Sequence, residues 1–332
     1  MPASDDGRVR GARCLVTGGA GFIGSHLVEG LIGAGAAYVH AVDDLSLGRE
    51  ENLAGVLGRD DVDLTVADSA DEGRLRALCG GRPFDLALHL AVIPLPHSLA
   101  HPRENVDRNI AMTTAVCELL RAGVVRRLVH FSSSEVYGTA RTVPMAEDHP
   151  LRPHTPYAAA KAASDLVALG YQTTFGLDVT VVRPFNTYGE RQNDAAYAGL
   201  IPAVVRLVQS GEPVVIDGDG RQSRDMTYVS DTIAGAIAVA AADGLTGRTF
   251  NLGRGTDHPV EEMVRIVLDE MGASEHPVVH GPARPGDVRR LVADVSAARR
   301  AVGYAPRVGL REGLARTVDW YAARAAMAAT AR

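Results

Sequence analysis

The sequence predicts an α/β protein: a doubly wound parallel sheet with helices on both faces, and a smaller α/β lobe interleaved with it. Three observations point there. Through the first half, short runs of consecutive apolar and β-branched residues alternate with longer segments whose apolar positions recur at helical spacing. The runs are continuously apolar rather than alternating, as in strands covered on both faces. Beyond Arg183 the alternation loosens, and Pro, Gly and long loops become more frequent.

In chain order, "RCLVTG" reads as the first strand and "FIGSHLVEGLIGAG" as the helix that follows it. "AYVHAVD", "VDLTVAD" and "FDLALHLA" are further strands. The amphipathic "NIAMTTAVCELLRAG" leads into "RLVHFSS", and "DVTVVRP" closes this half. After it come two long loops, "RPFNTYGERQNDAAYAG" and "DGDGRQSRDMTY". The helical "SDTIAGAIAVAAA" returns to the first domain, and the chain from "FNLG" onward builds the second lobe. The expected division is 1–183 plus about 225–250 for the sheet domain, and about 184–224 plus 251–332 for the lobe. The Ala-rich end, "YAARAAMAATAR", reads as a fraying helix without a functional assignment, and no internal repeat is visible.

A chain of 332 residues has room for two domains, or for one with an appended lobe. With 46% hydrophobic and 22% charged residues it lacks the charge excess of disordered chains. A net charge of -6 offers no footprint for nucleic acid. The polar opening "MPASDDGRVRGAR" has no continuous apolar stretch of the kind a secretion signal needs, and no run suggests a membrane span. A soluble cytoplasmic protein is expected. Cys14, Cys79 and Cys117 lie far apart among apolar residues, and the histidines show no ligand spacing, so neither disulfides nor a metal are expected. His89 reads as structural.

The first strand ends in "TGGAGFIGSH", with Gly18, Gly21 and Gly24 at a strand-to-helix turn. Gly19, Gly21 and Gly24 also satisfy Gly-x-Gly-x-x-Gly. Such glycines let backbone approach a pyrophosphate, and the helix N-terminus offers free N–H groups and a favourable dipole. Asp43 follows nineteen residues after Gly24, at the end of the second strand in "AVDDLS". A carboxylate there accepts ribose hydroxyls and repels a 2'-phosphate, which predicts NAD rather than NADP. Asp44 is the neighbour that competes for this assignment.

The stretch "HFSSSEVYG" places Ser133, Ser134 and Glu135 at the mouth of a strand. Further on, "TPYAAAKAASD" sets Tyr157 and Lys161 four residues apart near a helix start, on one face. A nearby ammonium is expected to stabilise the phenolate and draw the tyrosine pKa toward neutrality, where the phenol can act as a base. A serine hydroxyl opposite would bond the same substrate oxygen.

At these residues the chain resembles the extended short-chain dehydrogenase/reductase family, within it the NAD-dependent sugar-nucleotide epimerases and dehydratases. "TGGAGFIG", "HLA", "SSSEVYG", "YAAAK", "RPFNTYG", "RDMTYVSD" and "RPGDVRR" occur in the family's order over nearly the whole chain. The resemblance implies a Rossmann-type domain and a lobe that binds a UDP-, dTDP- or GDP-linked sugar. It implies a tightly held NAD that removes hydride from sugar C4, leaving a 4-keto intermediate. Tyr157 would take the C4 hydroxyl proton, Lys161 would bind the nicotinamide ribose and tune Tyr157, and Ser133 would polarise the oxygen. Asp68 matches the adenine-contacting position, and Phe22, Ile23, Ser69, Leu90, Ala91, Asn109 and Pro184 match further cofactor contacts. Asn186, Arg224 and Arg284 match residues that hold the nucleotide diphosphate, with Arg191 as a further substrate contact; arginine's planar fork suits phosphate. A homodimer through the helices bearing Tyr157 and Asn109 is also implied.

Glu135 bears on the reaction. Once C4 is a ketone, the C5 proton is acidic, or a C5 carboxylate can leave as carbon dioxide. A carboxylate near C5 and C6 then has a use, whereas plain 4-epimerisation does not require it. In the resembling families a glutamate before Val-Tyr-Gly is typical of 4,6-dehydratases and uronate decarboxylases. The chain departs from dehydratases of dTDP-glucose, which usually carry Asp at the position of Ser134, although other dehydratases have serine there. It departs from the decarboxylases in having "YAAAK" for Tyr-Asp-Glu-Gly-Lys and "RRLV" for Arg-Arg-Lys-Pro. "RPGDVRR" is shared with many 4-epimerases. The balance favours a Glu135-assisted step, by dehydration or decarboxylation, with 4-epimerisation as the alternative. The alternative of another class, an NAD-binding sensor without catalysis, is opposed by the joint presence of Ser133, Tyr157 and Lys161.

Overall fold

The computed structural model describes residues 7–194 and 198–330. The first six residues of the polar opening, three of the first long loop and the last two of the Ala-rich end lie outside the described residues.

The first half runs β1 (Arg13–Thr17), α1 (Phe22–Gly33), β2 (Tyr38–Asp43), β3 (Val62–Val66), α2 (Glu72–Ala77), β4 (Leu86–His89), α3 (Leu95–Ala100), α4 (Pro102–Arg121), β5 (Leu128–Phe131), α5 (Pro156–Phe175) and β6 (Val179–Pro184). Next come β7 (Thr187–Tyr188), α6 (Leu200–Ser210), β8 (Val214–Asp217), β9 (Ser223–Asp225), β10 (Thr227–Tyr228), α7 (Val229–Ala241) and β11 (Thr249–Leu252). The chain closes with β12 (Asp257–Pro259), α8 (Val260–Glu270), β13 (Val278–Gly281), β14 (Arg290–Leu291), α9 (Ser296–Val302) and α10 (Leu310–Thr330).

Seven strands form one sheet in the order β11-β6-β5-β4-β1-β2-β3, and every pairing in it is parallel. The continuous apolar runs explain why. In β1, Leu15 faces the side covered by α2, α4 and α5, where Leu75, Val116, Leu119 and Ala168 pack. Cys14 and Val16 face the opposite side, against Leu27 and Val28 of α1 and Val239 of α7. Both faces are therefore dry, as a doubly wound sheet requires. α7 packs on α1, so closely that a Cβ on Gly30 would come 2.8 Å from Ile237 Cδ1.

The segment "FNLG", assigned by sequence to the second lobe, instead supplies β11, the seventh strand of the main sheet, pairing Phe250 with Val182 and Leu252 with Pro184. Phe250 and Leu252 are wholly buried, so this short run behaves like the earlier strands. The remaining strands form three small sheets, β10-β7, β12-β9-β14 and β13-β8. Residues of β7, β8, β9, α6 and α8 face the C-terminal ends of β2, β5 and β6 across one cleft, and α10 packs on α6 and α8. Cys14, Cys79 and Cys117 are free thiols, and burial raises Cys14 and Cys117 to about 12. Among the described residues no helix is long and apolar enough to cross a membrane, and no group of three His, Cys, Asp or Glu could hold a metal ion.

Candidate active site

The strand order reverses between β1 and β4, and in such sheets ligands bind outside the carboxyl ends of the strands at that point. A cleft of about 720 Å³ opens there and continues under the small lobe. Gly18, with φ +71, carries the chain out of β1 so close to the exit of β4 that a Cβ would stand 2.8 Å from the Ala91 nitrogen. Gly24 lies against the same turn; its Cβ would fall 2.0 Å from the Gly18 carbonyl oxygen. The first turn of α1 begins at Phe22 with no acidic residue in it, leaving its N–H groups to an anion. Gly18, Gly21, Phe22, Ile23 and Gly24 line the cleft, as do Asp43, Ser69, Leu90, Ala91 and Pro184.

Asp43 is buried and already accepts from Ala20 N at 3.0 Å and Leu45 N at 2.9 Å. It thus clasps the glycine turn while each oxygen keeps a further lone pair for a ribose. Burial raises its pKa, against the lowering effect of these backbone bonds. Asp44, the competing neighbour, also reaches the cleft, with its Oδ1 bonded to Ser46 N at 2.9 Å.

Two expected contacts sit behind the wall rather than on it. Asp68 is paired with Arg108 at 2.7 Å and caps Ala70 N at 2.8 Å; Arg108, which sequence reasoning missed, faces the cleft instead. Asn109 is buried and braces the exit of β4, accepting from Ile93 N at 2.9 Å and donating to Ile93 O at 3.1 Å.

Ser133, Ser134, Glu135, Tyr157 and Lys161 converge on one stretch of the cleft. Thr155 caps α5 by accepting from Ala158 N at 3.2 Å, and Pro156 opens the helix, so Tyr157 falls in its first turn. A 3₁₀ turn, Ser134–Tyr137, follows β5, and Ser133 caps it by accepting from Glu135 N at 3.2 Å. Ser133 also bonds the Tyr157 phenol. Lys161 is buried and donates to Phe131 O at 2.5 Å.

The electrostatics differ from the sequence expectation at one point. The Tyr157 phenol stands at about 12, not near neutrality. Burial is the main cause; the Ser133 bond lowers it, while the carboxylates of Glu135 and Asp165 raise it. Burial also takes Lys161 down to about 8, with Asp165 opposing. Glu135 is raised, first by burial and then by Asp287, against the lowering influence of Arg224, Arg284 and His154.

Farther along, Asn186, Arg191, Arg224 and Arg284 all line the cleft. Arg224 and Arg284 share the Oδ1 of Asp287, at 2.6 and 3.1 Å. Arg191 pairs with Glu29 at 2.7 Å. Among the described residues Asn186 Oδ1 and Arg191 Nη1 are buried without a hydrogen-bond partner, the mark of a wall built for a polar ligand. Sequence reasoning missed Asp287 and Gln222. Asp287 lies inside "RPGDVRR", where its place between arginines was a usable signal; Gln222, whose Nε2 donates to Asp217 O at 2.8 Å, had none.

A parallel sheet with a glycine turn at its switch point, and a Ser-Tyr-Lys group one strand away, defines a dinucleotide-dependent enzyme of the short-chain dehydrogenase/reductase type. Residues 14–253 match the model of the NAD dependent epimerase/dehydratase family. The chain is 36% identical over 311 residues to a UDP-glucose 4-epimerase of Mycolicibacterium smegmatis, covering 93% of this chain and 98% of that one. It is 37% identical over 318 residues to a dTDP-glucose 4,6-dehydratase of Actinoplanes sp., covering 94% and 98%. A dTDP-glucose 4,6-dehydratase from Streptomyces venezuelae, solved with NAD bound, superposes with a TM-score of 0.90 at 35% identity, over 95% of this chain and 98% of the other. The chain belongs to the NAD-dependent epimerase/dehydratase family, and NAD is its cofactor.

Proposed function

We propose that this enzyme oxidises C4 of a UDP-, dTDP- or GDP-linked sugar and then uses Glu135 at C5 or C6, most directly for 4,6-dehydration. The observation that carries the reading is Glu135 itself. It lines the cleft beside Ser133 and Tyr157, with its carboxyl raised by burial, as suits a group that takes up and releases a proton.

NAD, when bound, supplies a hydride acceptor and a ring cation. Ser133 and Tyr157 bracket the C4 oxygen, and Tyr157 takes the hydroxyl proton. The N-terminus of α5 favours the phenolate. Lys161 orients the cofactor ribose, and Asn109, from behind, keeps the exit of β4 in place. With C4 a ketone, Glu135 would take the C5 proton and pass it to the C6 oxygen, which Ser134 hydrogen-bonds, so that water leaves as C5=C6 forms; the hydride would then return to C6 and a proton to C5. Arg224 and Arg284 hold the diphosphate, with Asn186 and Arg191 as further substrate contacts. Phe22, Ile23, Ser69, Leu90, Ala91 and Pro184 enclose the cofactor.

Decarboxylation is the weaker form of this reading. The arginines of "RRLV" lie at the N-terminal end of β5, away from the cleft at the other end of the strands, with Arg126 paired to Asp85 at 2.7 Å and Arg127 donating to Ala242 O at 2.7 Å. A second reading, 4-epimerisation, is favoured by the similarity to the mycobacterial epimerase and leaves Glu135 without a proton to move. Mass spectrometry after incubation with UDP-, dTDP- and GDP-sugars, including UDP-glucuronate, separates them. Loss of water supports dehydration and loss of carbon dioxide supports decarboxylation. A new 4-epimer at unchanged mass, seen by NMR, overturns the Glu135 step.

The sugar-binding lobe is read as 184–224 plus the chain beyond β11, which moves its second boundary from about 250 to about 252. Exposed Leu166 on α5 and Leu99 on the adjacent α3 support a homodimer across this face, to be checked by sedimentation. Three free thiols suit the reducing cytoplasm.

A further inference from the structure

The mechanism above leaves unused a buried polar cluster next to Lys161. Asp165, one helical turn after Lys161, has no exposed surface, and its Oδ2 accepts from Arg183 Nε at 3.0 Å. Its Oδ1 faces His130 Nε2 at 3.4 Å. Arg183 also donates through Nη1 to the Tyr137 hydroxyl at 2.9 Å, and the Tyr137 hydroxyl donates to Asn251 Oδ1 at 2.7 Å. Asn251 is held from the other side by Met145 O at 3.0 Å and Glu147 Oε1 at 2.8 Å.

What this cluster joins is specific. Asp165 belongs to α5, which carries Tyr157 and Lys161. Tyr137 is the last residue of the 3₁₀ turn that carries Ser134 and Glu135. The two groups sit on separate elements: Lys161 holds Phe131 O at the end of β5, the Ser133 hydroxyl meets both Tyr157 and Glu135 N, and the Asp165–Arg183–Tyr137 chain joins α5 to the far end of the turn. A buried ion pair is weak evidence for stability, since apolar residues of like volume often do as well. Its fixed geometry is what apolar packing cannot supply: guanidinium donors spaced in a plane, one on each element.

We propose that Arg183 and Tyr137 are positioning residues that hold the Glu135 turn in register with the Tyr157–Lys161 helix, so that the C5–C6 step follows C4 oxidation without release of the 4-keto sugar. The proposal rests on the Glu135 reading. In the first step the C4 hydride would pass to the cofactor and the hydroxyl proton to Tyr157; in the second Glu135 would take the C5 proton and pass it to the C6 oxygen, so that the C6–O bond breaks as C5=C6 forms and water leaves, after which the hydride returns to C6 and a proton to C5. Tyr137→Phe removes only the hydroxyl bridge, leaving Asp165, Arg183 and Lys161 in place. Arg183→Lys keeps a charge beside Asp165 and loses the fork.

The test uses the full-length enzyme with NAD and whichever nucleotide sugar of the panel it oxidises. Rapid mixing follows the reduced nicotinamide for the first step, and quenched samples give dehydrated product for the second. Both variants are expected to reduce the cofactor within about twofold of the native rate and to form product at least about tenfold more slowly, as misplacement by a fraction of an ångström does. The 4-keto sugar is then released in measurable amount. A general loss of stability would instead slow both steps together, and that result overturns the proposal, as does an unchanged ratio of the two. Glu135→Gln separates the two claims. If it blocks the second step and Tyr137→Phe does not, the positioning role alone fails; if it blocks nothing, or no sugar of the panel is oxidised, the Glu135 reading fails and the positioning role with it.

Discussion

The two halves of the cleft are built differently. At the cofactor end the wall is mostly backbone: the Gly18 turn, the exits of β1 and β4 and the first turn of α1. At the substrate end it is side chains held by other side chains, with Arg224 and Arg284 on Asp287 and Arg191 on Glu29. The first kind of wall tolerates almost no added atom. The second bends to substitution but depends on charge. Relatives that bind different sugars can therefore share the first end and vary the second.

The largest effect belongs to the point where the halves meet. Tyr157→Phe is expected to lower kcat by about 10²–10⁴-fold with NAD still bound, as loss of a general base does. Steady-state rates and NAD titration check it, and an unimpaired kcat would falsify the base assignment. Next, Gly24→Ala puts a Cβ 2.0 Å from the Gly18 carbonyl oxygen, and the turn must shift. Overpacking of this kind costs roughly 1–3 kcal/mol, and NAD affinity should fall by at least about tenfold. Binding calorimetry reads this; affinity equal to native would mean that the rigidity contrast drawn above is wrong.

Lys161→Met sharpens the contrast between function and stability. Burial lowers the native lysine from 10.5 to about 8, so the folded enzyme bears the cost of a buried ammonium below that pH. Below about 8 both folded and unfolded lysine hold the proton; between about 8 and 10.5 the unfolded chain binds more, and native stability should rise with pH there. The variant should lack that rise. Near neutral pH it should be more stable than native by about 1–2 kcal/mol, after allowance for the lost bond to Phe131 O. Urea melts across this pH range decide it, and loss of stability at neutral pH would sink the argument. The smallest effect is expected at Arg284, which is exposed and shares its carboxylate. Arg284→Ala should raise KM several-fold, roughly 1 kcal/mol, with kcat nearly kept. A fall in kcat alone would place Arg284 at the reacting atoms instead.

The same contrast explains what was legible in the sequence. The parallel sheet could be read because most of its strands are continuous apolar runs, and the glycine turn because backbone geometry restricts residue type. β11 escaped since "TFNL" is short and follows a loop-rich stretch; only its place beside β6 makes it a strand of the main sheet. Tyr157 and Lys161 were visible as a spacing, but the state of the phenol was not. Spacing carries no information on burial or on the carboxylates of Glu135 and Asp165 that face it. Arg108 likewise lines the cleft while paired with Asp68, which lies forty residues away in the sequence beyond β3, a contact that spacing does not reveal.

The shared carboxylate of Asp287 has a kinetic consequence. Arg224 is buried and held by three acceptors, Asp287, Val288 O and Ser223 O. Its rotamers are frozen in advance, so binding forfeits little side-chain entropy there. A diphosphate bound there, as proposed above, would nevertheless settle beside a standing negative charge. That repulsion would grow with the charge of the anion and would loosen the hold on substrate and product alike.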